Sequence, residues 1–357
     1  MEKVRLVDIA AAAGVSKVTA SKVLNPSPGN NTTVSASTRE RILGVAARLG
    51  YRVNIAASQL AGGRSRMLGV LIDARTSPME FQRVAYAEEA ASRLGYRFMI
   101  GQCKADLNNI KAYIDDFADR GIEGVILHSN SFPNLNRQIV EYARRIRHVL
   151  YYDRPISDDG SCDYVDVDLA AGMRQLVDHL AQEGRTRIAY FLPYETFHCG
   201  KYPSTLAREK GFIEGMQAHN LPFDPGFANR FVFERFPSVE ELMAIIERFI
   251  REEKPDAIIA RNDSIAAIVL RTMHEMGVRC PDDIALAGYD NTEFSQYLYP
   301  PLTTVDNLLA QISGQAVRIL VDRIEGRSES ESPLTRTFTP QLIIRGSTRT
   351  MGKDKRR

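Results

Sequence analysis

Residues 15–25 read VSKVTASKVLN, and the spacing of their polar and apolar side chains predicts a short amphipathic helix. Ser16 is a suitable N-cap, because its hydroxyl can accept a hydrogen bond from a backbone N–H of the first turn. One helical face then carries Lys17, Val18, Ser21, Lys22 and Asn25. The opposite, apolar face carries Ala20, Val23 and Leu24 and must pack on another element. Amines, hydroxyls and amides on the outer face suit contacts with nucleic-acid phosphates and base edges.

The preceding stretch, LVDIAAAAG, predicts a second helix that supplies this packing partner. Leu6, Ile9, Ala10 and Ala13 recur at helical spacing, and Gly14 is a suitable C-terminal stop. A helix, a tight turn and a second helix with a polar outer face form a helix-turn-helix, whose second helix enters the DNA major groove. The alternative is an ordinary helical hairpin with a solvated polar face.

The charge distribution separates the N-terminal segment from the rest of the chain. Residues 1–66 hold ten Lys or Arg and three Asp or Glu, a net charge of +7. The rest of the chain holds 36 basic and 41 acidic side chains, a net charge of −5. A basic segment on a mildly acidic body predicts a polyanion-binding module joined to a domain of another kind.

Two further helices are expected before residue 67. In VSASTRERILGVAARLG, Ser35 is the predicted N-cap, and the predicted inward stripe is Ile42, Leu43, Ala46 and Leu49. The Pro-, Gly- and Asn-rich stretch at 26–33 predicts a loop. In YRVNIAASQLAGGRSR, Asn54 can cap a helix of about two turns. So short a helix is marginal by itself in water and needs DNA or a second copy of itself to form.

Residues 4–66 resemble the DNA-binding head and hinge of the lactose-repressor (LacI/GalR) family of bacterial transcription regulators. The resemblance rests on DIAAAAGVSKVTASKVLN, VSASTRERI, LGYRVN and AASQLAGGRSRMLGVL, and it extends to GYDNTEFSQYLYPPLTTVDN and PQLIIRGSTRT. It implies a repressor that binds a near-palindromic operator in double-stranded DNA as a homodimer, under the control of a small ligand. Arg5 departs from the family pattern, in which a helix-capping Thr is usual.

The resemblance also implies roles for residues of the head. Lys17, Val18, Ser21 and Lys22 match the helix positions that face the major groove. Ala57 and Leu60 match hinge positions that enter the minor groove, where a leucine from each subunit wedges between base pairs. The alternative for Leu60 is a core position in a short helix. The predicted DNA-binding set is Ser16, Lys17, Val18, Thr19, Ser21, Lys22, Asn25, Asn54, Ala57 and Leu60.

The body, from residue 67 onwards, alternates apolar strand-like runs with helical stretches. MLGVLID, RFMIGQ, GVILHS and HVLYYD form one series, and RIAYFLP, AIIAR and IALAGYD form another. Such repetition predicts parallel sheets, so the fold class is α/β: an all-α helix-turn-helix head and a periplasmic-binding-protein-like body of two α/β subdomains. The predicted boundaries are 1–53 for the head, 54–66 for the hinge, 67–160 with 292–322 for the first subdomain, 161–291 with 323–348 for the second, and 349–357 for a tail.

Polar residues at the ends of these runs are candidates for a ligand site, because ligands of parallel α/β sheets bind beyond the carboxyl ends of the strands. They include Asp73, His128, Ser129, Asp153, Asn262, Asp263 and Asp290. Alternatively, Asp and Asn at such positions only cap the helices that follow.

The family resemblance narrows this choice. It implies ligand contacts from Arg208, Asn262, Asp290 and Asn307, and it places aromatic stacking near Phe81. The predicted effector-binding set is Asp73, Phe81, Ser129, Asp153, Arg208, Asn262, Asp263, Asp290, Phe294 and Asn307. The expected effector is a sugar or sugar derivative, and the alternative is a purine or nucleoside, since both ligand classes occur in the family.

Enzyme chemistry is not expected. The four cysteines lack C-x-x-C and zinc spacings, and no G-x-S-x-G or H-E-x-x-H motif occurs, so no catalytic residue, metal or cofactor is predicted. The alternative function is a ligand-binding protein of the periplasmic sugar-binding type, but no signal peptide is predicted at the N-terminus. We expect a cytoplasmic protein that reaches the bacterial nucleoid through its operator and has no membrane contact.

Overall fold

The chain divides into a helical head and an α/β body. In the computed structural model, the head unit comprises Met1–Met67 with Gly121–Glu123, and the body unit comprises the other residues. The structure describes residues 4–24, 34–51, 64–73, 79–103, 106–129, 136–155, 160–195, 203–224, 226, 230–233, 237–328 and 331–349. The predicted hinge helix lies outside the described residues, and so do Asn25, Asn54, Ala57 and Leu60.

Three helices make up the described part of the head and share one small apolar core. They are α1 (Leu6–Ala12), α2 (Lys17–Leu24) and α3 (Ala36–Arg48). The core contains Ile9, Ala13, Val23, Ile42, Val45 and Ala46. The stripe predicted for α3 is wrong at Leu43 and Leu49, which are exposed, and Val45 takes the buried place. Positions three or four residues apart share a helical face, so Val45 and Ala46 follow Ile42 inward.

The starts of α2 and α3 are capped as the sequence predicts. Ser16 Oγ accepts a hydrogen bond from the Thr19 backbone N–H at 3.0 Å. Ser35 Oγ accepts one from the Thr38 N–H at 3.3 Å. Each cap satisfies one of the N–H groups that have no partner within the helix, which fixes where α2 and α3 begin.

The body alternates strands and helices, as its apolar runs predict. The strands are β1 (Met67–Ile72), β2 (Arg97–Gln102), β3 (Gly124–His128), β4 (Val149–Tyr152), β5 (Asp163–Val167), β6 (Ile188–Phe191), β7 (Tyr194–Glu195), β8 (Val232–Phe233), β9 (Ala257–Ala260), β10 (Ala285–Ala287), β11 (Thr304–Asp306), β12 (Thr335–Phe338) and β13 (Gln341–Ile343). The helices are α4 (Met79–Arg93), α5 (Leu107–Asp119), α6 (Asn136–Ala143), α7 (Leu169–Gln182), α8 (Pro203–Ala218), α9 (Val239–Glu253), α10 (Asp263–Glu275) and α11 (Leu309–Ile324).

Two sheets organise these elements. The first has the strand order β12-β5-β4-β3-β1-β2, and the second has the order β10-β9-β6. β3 pairs in parallel with both β1 and β4, and β9 pairs in parallel with both β6 and β10. Parallel strands bring their carboxyl ends to one edge of a sheet, so the polar residues that follow them gather there.

Strand pairing corrects the predicted subdomain boundaries. The boundaries place β5 and β12 in the second subdomain, but both strands belong to the first sheet and pair with each other in parallel. They place residues 292–306 in the first subdomain, but Thr303 O accepts from the Gly288 N–H at 2.8 Å, beside the second sheet. Sheet membership depends on which distant segments pair, and local composition does not encode that pairing.

Each sheet has its own apolar core. β3 is buried along its whole length, and β1 is buried from its second residue, which explains why both strands are continuous apolar runs. α11 packs on the first sheet and contributes Ile312, Ala316 and Leu320 to that core. Within the described ranges, no helix is long and apolar enough to cross a membrane.

Candidate functional site

The outer face of α2 is open to solvent. Val18 is 62% exposed, Lys17 is exposed, and Ser21 and Lys22 are half-buried, whereas Ala20 on the inner face is fully buried. The predicted division of this helix into a polar outer face and an apolar inner face is therefore correct. The outer face presents ammonium groups, a hydroxyl and a branched apolar side chain.

The last residues of the head before β1 are anchored by one carboxylate. Arg64 donates to Glu123 Oε2 from Nε at 2.9 Å and from Nη2 at 2.6 Å. The Arg66 backbone N–H donates to Glu123 Oε1 at 2.7 Å, and the Ser65 hydroxyl donates to Gly121 O at 2.7 Å. Charge-assisted hydrogen bonds of this kind, here two from one guanidinium to one carboxylate oxygen, are among the stronger polar contacts that proteins form.

At the carboxyl ends of β3 and β4, His128 lies between two carboxylates. Its Nδ1 is 2.8 Å from Glu80 Oε2, and its Nε2 is 2.8 Å from Asp153 Oδ2. Ser129 Oγ donates to the Asp153 carbonyl at 2.9 Å and holds the same turn. Ionised carboxylates only accept hydrogen bonds, so the contact with Asp153 places a proton on Nε2, and an imidazolium is the ring form that suits a carboxylate beside each nitrogen.

Electrostatics favour this imidazolium. Burial by itself would lower the pKa of His128, but attraction to Glu80 and the hydrogen bonds to both carboxylates raise it to about 9. Burial would likewise raise the pKa of Glu80, but His128 and then Arg83 outweigh burial and lower it. Glu80, Arg83 and His128 therefore stay charged together near neutral pH.

At the carboxyl end of β10, Arg208, Asp290 and Asn307 meet. Asn307 Nδ2 donates to Asp290 Oδ1 at 3.0 Å, and Arg208 Nη2 lies 3.8 Å from the same oxygen. The Arg208 guanidinium carbon lies 4.6 Å from the centre of the Tyr289 ring, a cation–π contact. These three residues come from separate parts of the chain, and the family resemblance had singled out each of them.

The groups at the two sheets interact electrostatically. Burial raises the pKa of Asp290, and three arginines, Arg83 of the first group among them, oppose that rise. Burial would lower the pKa of Arg208, but Asp290 and, more weakly, Asp153 keep it above its usual value. We call the combined set the strand-end cluster. Its members are Glu80, Arg83, His128, Asp153, Arg208, Asp290 and Asn307.

Two predicted effector residues have structural partners instead. Asp263 is fully buried, and its carboxylate accepts from the Thr292 N–H at 2.7 Å and from the Thr304 hydroxyl at 2.6 Å. The structure thus assigns Asp263 a supporting role in place of the predicted ligand contact. Asn262 Oδ1 caps α10 by accepting from the Ile265 N–H at 3.0 Å, so only its amide nitrogen remains suited to a ligand.

Three other predicted effector residues differ in how far they are buried. Asp73 is buried and accepts from Gln102 Nε2 at 3.1 Å. Phe81 is 66% exposed, so the structure does not bury it against the strand-end cluster, and Phe294 is 38% exposed. Stacking on a ligand stays a prediction for both rings.

Sequence reasoning missed two members of the cluster, Glu80 and Arg83, and it named His128 as a strand-end candidate without including it in the predicted effector-binding set. Glu80 lies on the buried face of α4 with Val84, Ala87 and Ala91. A charged residue at helical spacing with buried apolar residues was the signal that could have identified it. No comparable signal marked Arg83, whose side chain lies over the Tyr152 ring at 4.9 Å.

Two cavities in the body lie away from the strand-end cluster. One, of about 250 Å³, has walls that include Tyr190, Phe212 and Phe223. The other, of about 370 Å³, has walls that include Arg144 and Arg323. No member of the strand-end cluster lines either of these two cavities.

Comparison with known proteins agrees with this architecture. A family model described as "Bacterial regulatory proteins, lacI family" matches residues 5–54, and one described as "Periplasmic binding protein-like domain" matches residues 177–348. The HTH-type transcriptional repressor PurR of Haemophilus influenzae (strain PittEE) is 26% identical over 347 residues, 96% of this chain and 98% of the relative. The HTH-type transcriptional regulator DegA of Bacillus subtilis (strain 168) is 26% identical over 350 residues, 97% of this chain and 98% of the relative.

Solved structures share the fold. A lac repressor dimer bound to operator and the anti-inducer ONPF superposes with a TM-score of 0.78 at 24% identity, covering 97% of this chain and 99% of that chain. The match over the head also favours a regulator over a ligand-binding protein that lacks a DNA-binding segment. The chain is therefore a DNA-binding transcription regulator of the lacI family, with a ligand-binding body of the periplasmic-binding-protein type.

Proposed function

We propose that the chain represses transcription by binding a near-palindromic DNA operator as a homodimer, and that a small effector held by the strand-end cluster controls this binding. The observation that carries the proposal is the exposed outer face of α2, with Lys17 and Val18 directed to solvent. Lysines attract phosphates, and a branched apolar side chain suits the methyl group of thymine.

On DNA, α2 is the recognition helix. Lys17, Val18, Ser21 and Lys22 face the base edges, and the Ser16 cap holds the start of the helix at the groove. A homodimer places two such helices in successive half-sites, which explains why the expected operator is near-palindromic. The sequence-based assignment of Asn25, Asn54, Ala57 and Leu60 to DNA contacts belongs to the same proposal. Such a regulator acts in the cytoplasm, where its operator is.

The effector acts through a difference in affinity. A ligand changes operator binding only if it binds one arrangement of the body more tightly than another. The strand-end cluster is suited to this, because opposite charges attract across it: Asp153 beside the first sheet acts on Arg208 beside the second, and Arg83 beside the first acts on Asp290 beside the second. A ligand that contacts both groups changes the balance between arrangements.

A sugar or sugar derivative is the effector class that we propose. Carboxylate, guanidinium and amide groups such as those of Asp290, Arg208 and Asn307 recognise hydroxyl-rich ligands with donors and acceptors. A purine or nucleoside is the second candidate, since the partly exposed rings of Phe81 and Phe294 are suited to stacking on a base.

The DNA-binding part of the proposal is tested by selecting operator fragments from genomic DNA with the full-length protein and measuring their affinity by fluorescence anisotropy. Lys17→Ala and Lys22→Ala should each weaken binding to the selected fragment. Lys210→Ala is the control, because this lysine is 72% exposed and lies on α8 in the body. Equal affinity in all three variants would contradict the recognition role of α2.

The effector part is tested by a thermal-shift screen against sugars, sugar derivatives, nucleosides and purines, since a ligand of the folded state raises the melting temperature. Each hit is then titrated into the protein–operator complex. A hit that binds without changing operator affinity would refute control through this site.

A further inference from the structure

Two buried arginines of the strand-end cluster have the same unusual environment. The side chains of Arg83 and Arg208 are 11% and 14% exposed. Each guanidinium lies over a tyrosine ring, that of Tyr152 at 4.9 Å and that of Tyr289 at 4.6 Å. One arginine comes from α4 beside the first sheet, and the other comes from α8 beside the second.

Neither arginine reaches the carboxylate beside it. Arg83 Nε is 4.0 Å from Glu80 Oε1, and Arg208 Nη2 is 3.8 Å from Asp290 Oδ1, both beyond hydrogen-bond distance. Within the part of the chain that the structure describes, the Nε atoms of both arginines have no hydrogen-bond partner. The carboxylate oxygens nearby face other groups, since Asp290 Oδ1 accepts from Asn307 and Glu80 Oε2 lies 2.8 Å from His128 Nδ1.

The body forms a complete arginine–carboxylate pair where a carboxylate is available. Arg323 donates from Nε to Asp163 Oδ2 and from Nη2 to Asp163 Oδ1, both at 2.9 Å. The side chains of this pair are each 15% exposed, close to the exposure of Arg83 and Arg208. Burial alone therefore does not explain the incomplete contacts of Arg83 and Arg208. Burying a guanidinium without hydrogen-bond acceptors is costly. Arg83 and Arg208 therefore each require a partner that supplies the missing acceptors.

We infer that the effector carries an anionic group, a carboxylate or a phosphate, and that Arg83 and Arg208 bind this group from the two sides of the site. The inference rests on the proposed effector function of the strand-end cluster. The planar guanidinium matches carboxylate and phosphate oxygens two at a time, which neutral hydroxyls do not reproduce. Asp153 and Asp290 act electrostatically on both arginines, which supports a single shared ligand.

Asn307 defines a second part of the ligand. Its side chain is buried, its Nδ2 donates to Asp290, and its Oδ1 has no hydrogen-bond partner among the described residues. An acceptor in this position requires a donor, such as a hydroxyl. The effector class is therefore a hydroxyl-bearing acid, such as a sugar acid or a sugar phosphate.

The experiment compares matched neutral and anionic probes on the full-length protein. Calorimetry and thermal shift are measured at constant ionic strength with acetate and inorganic phosphate, and with glucose, glucuronate and glucose 6-phosphate. Arg83→Gln, Arg208→Gln and the double variant are compared with Arg271→Gln, an arginine that is 62% exposed on α10. Circular dichroism verifies folding, and Arg83→Lys and Arg208→Lys retain the charge without the planar fork.

Acetate or phosphate should stabilise the wild type and the Arg271→Gln variant, and the double variant should lose about tenfold or more in affinity. The Lys variants should bind with intermediate affinity. A preference for acetate and glucuronate identifies a carboxylate ligand, and a preference for the two phosphates identifies a phosphorylated one.

Two outcomes would overturn the inference: equal effects of the anions on the wild type and the double variant, or binding of glucose as tight as that of its anionic counterparts. Operator affinity is measured separately with each ligand that binds. A neutral ligand that changes operator affinity refutes the anionic group and leaves the proposed function intact. An anion that binds without affecting operator affinity supports the anionic group and refutes the proposed control.

Discussion

At the scale of single residues, His128 shows how burial and charge compensate each other. A histidine buried alone would be neutral, but Glu80 and Asp153 each lie 2.8 Å from one of its ring nitrogens. The positive ring in turn allows the buried Glu80 carboxylate and the half-buried Asp153 carboxylate to lie on its two sides. This arrangement links the turns after β3 and β4 to the start of α4, where Arg83 also lies.

His128→Gln should reduce stability by about 3 kcal/mol near neutral pH, because it removes the positive ring between the buried Glu80 carboxylate and the half-buried Asp153 carboxylate. The folded-state pKa of about 9 is above the ordinary value of 6.5. The contribution of His128 is therefore complete below about pH 6.5 and disappears as the pH rises through about 9. Urea unfolding of both proteins across this range should show the two stabilities converging. A constant difference, or the same loss in the exposed-site control His219→Gln, would contradict this assignment.

Asp263→Asn should destabilise the body and leave effector affinity unchanged. The amide nitrogen of asparagine would meet a donor from Thr292 or Thr304 where the carboxylate accepts at present, at a cost of about 1–3 kcal/mol. Urea denaturation measures the stability of the body, and calorimetry with a ligand from the screen measures the effector affinity. A loss of ligand affinity with unchanged stability would restore the ligand role that the sequence predicts.

At the scale of elements, the head depends on where its helices begin. α2 and α3 start in the same way, each with a serine hydroxyl that accepts a backbone N–H of the first turn. Only α2 presents the outer face that we assign to the major groove. Variants at the two caps can therefore be compared to distinguish a general loss of stability from a specific loss of DNA binding.

Ser16→Ala and Ser35→Ala should each destabilise the head by about 1 kcal/mol, the usual value for loss of an N-cap. Only Ser16→Ala should also weaken operator binding beyond what the loss of folded head explains, because it loosens the start of the recognition helix. Thermal unfolding and anisotropy titrations measure the two effects. Equal losses of operator affinity in both variants would mean that α2 is not the helix that reads DNA.

Glu123→Gln should loosen residues 64–66, because the Glu123 carboxylate binds both Arg64 and the Arg66 N–H. Losing charge-assisted bonds of this kind should raise the rate of trypsin cleavage after Arg64 and Arg66 about tenfold. Limited proteolysis followed by mass spectrometry locates the cleavage. Glu89→Gln, an exposed position on α4, is the control. An unchanged cleavage rate would show that this carboxylate does not hold the segment.

At the scale of the whole molecule, the basic charge is concentrated in the DNA-binding head, and the ligand-binding body is mildly acidic. The first 66 residues carry a net charge of +7, and the rest carries −5. The basic segment suits a polyanion, and the mildly acidic body confines non-specific attraction to DNA to the head.

Operator affinity should therefore fall steeply with salt, by about a thousandfold or more between about 50 and 200 mM if six or more phosphates are contacted by the dimer. Effector binding to the protein without DNA should change far less, because buried charge pairs are poorly screened. Titrations at several salt concentrations measure both slopes. A flat salt dependence of operator binding would contradict electrostatic contact by the head.

The sequence by itself determined the local features of this protein. Helical spacing and capping residues predicted α1, α2 and α3 with the Ser16 and Ser35 caps, because capping involves neighbours within one turn. Apolar runs predicted β1 to β4, β6, β9 and β10, and the family resemblance predicted ligand contacts for Arg208, Asp290 and Asn307, which the structure brings together. Tertiary structure alone decided that β5 and β12 join the first sheet, that Asp263 is enclosed, and that Glu80 and Asp153 hold His128. These outcomes depend on contacts between segments distant in sequence, whose pairing is set by packing of the whole body and leaves no periodic pattern along the chain.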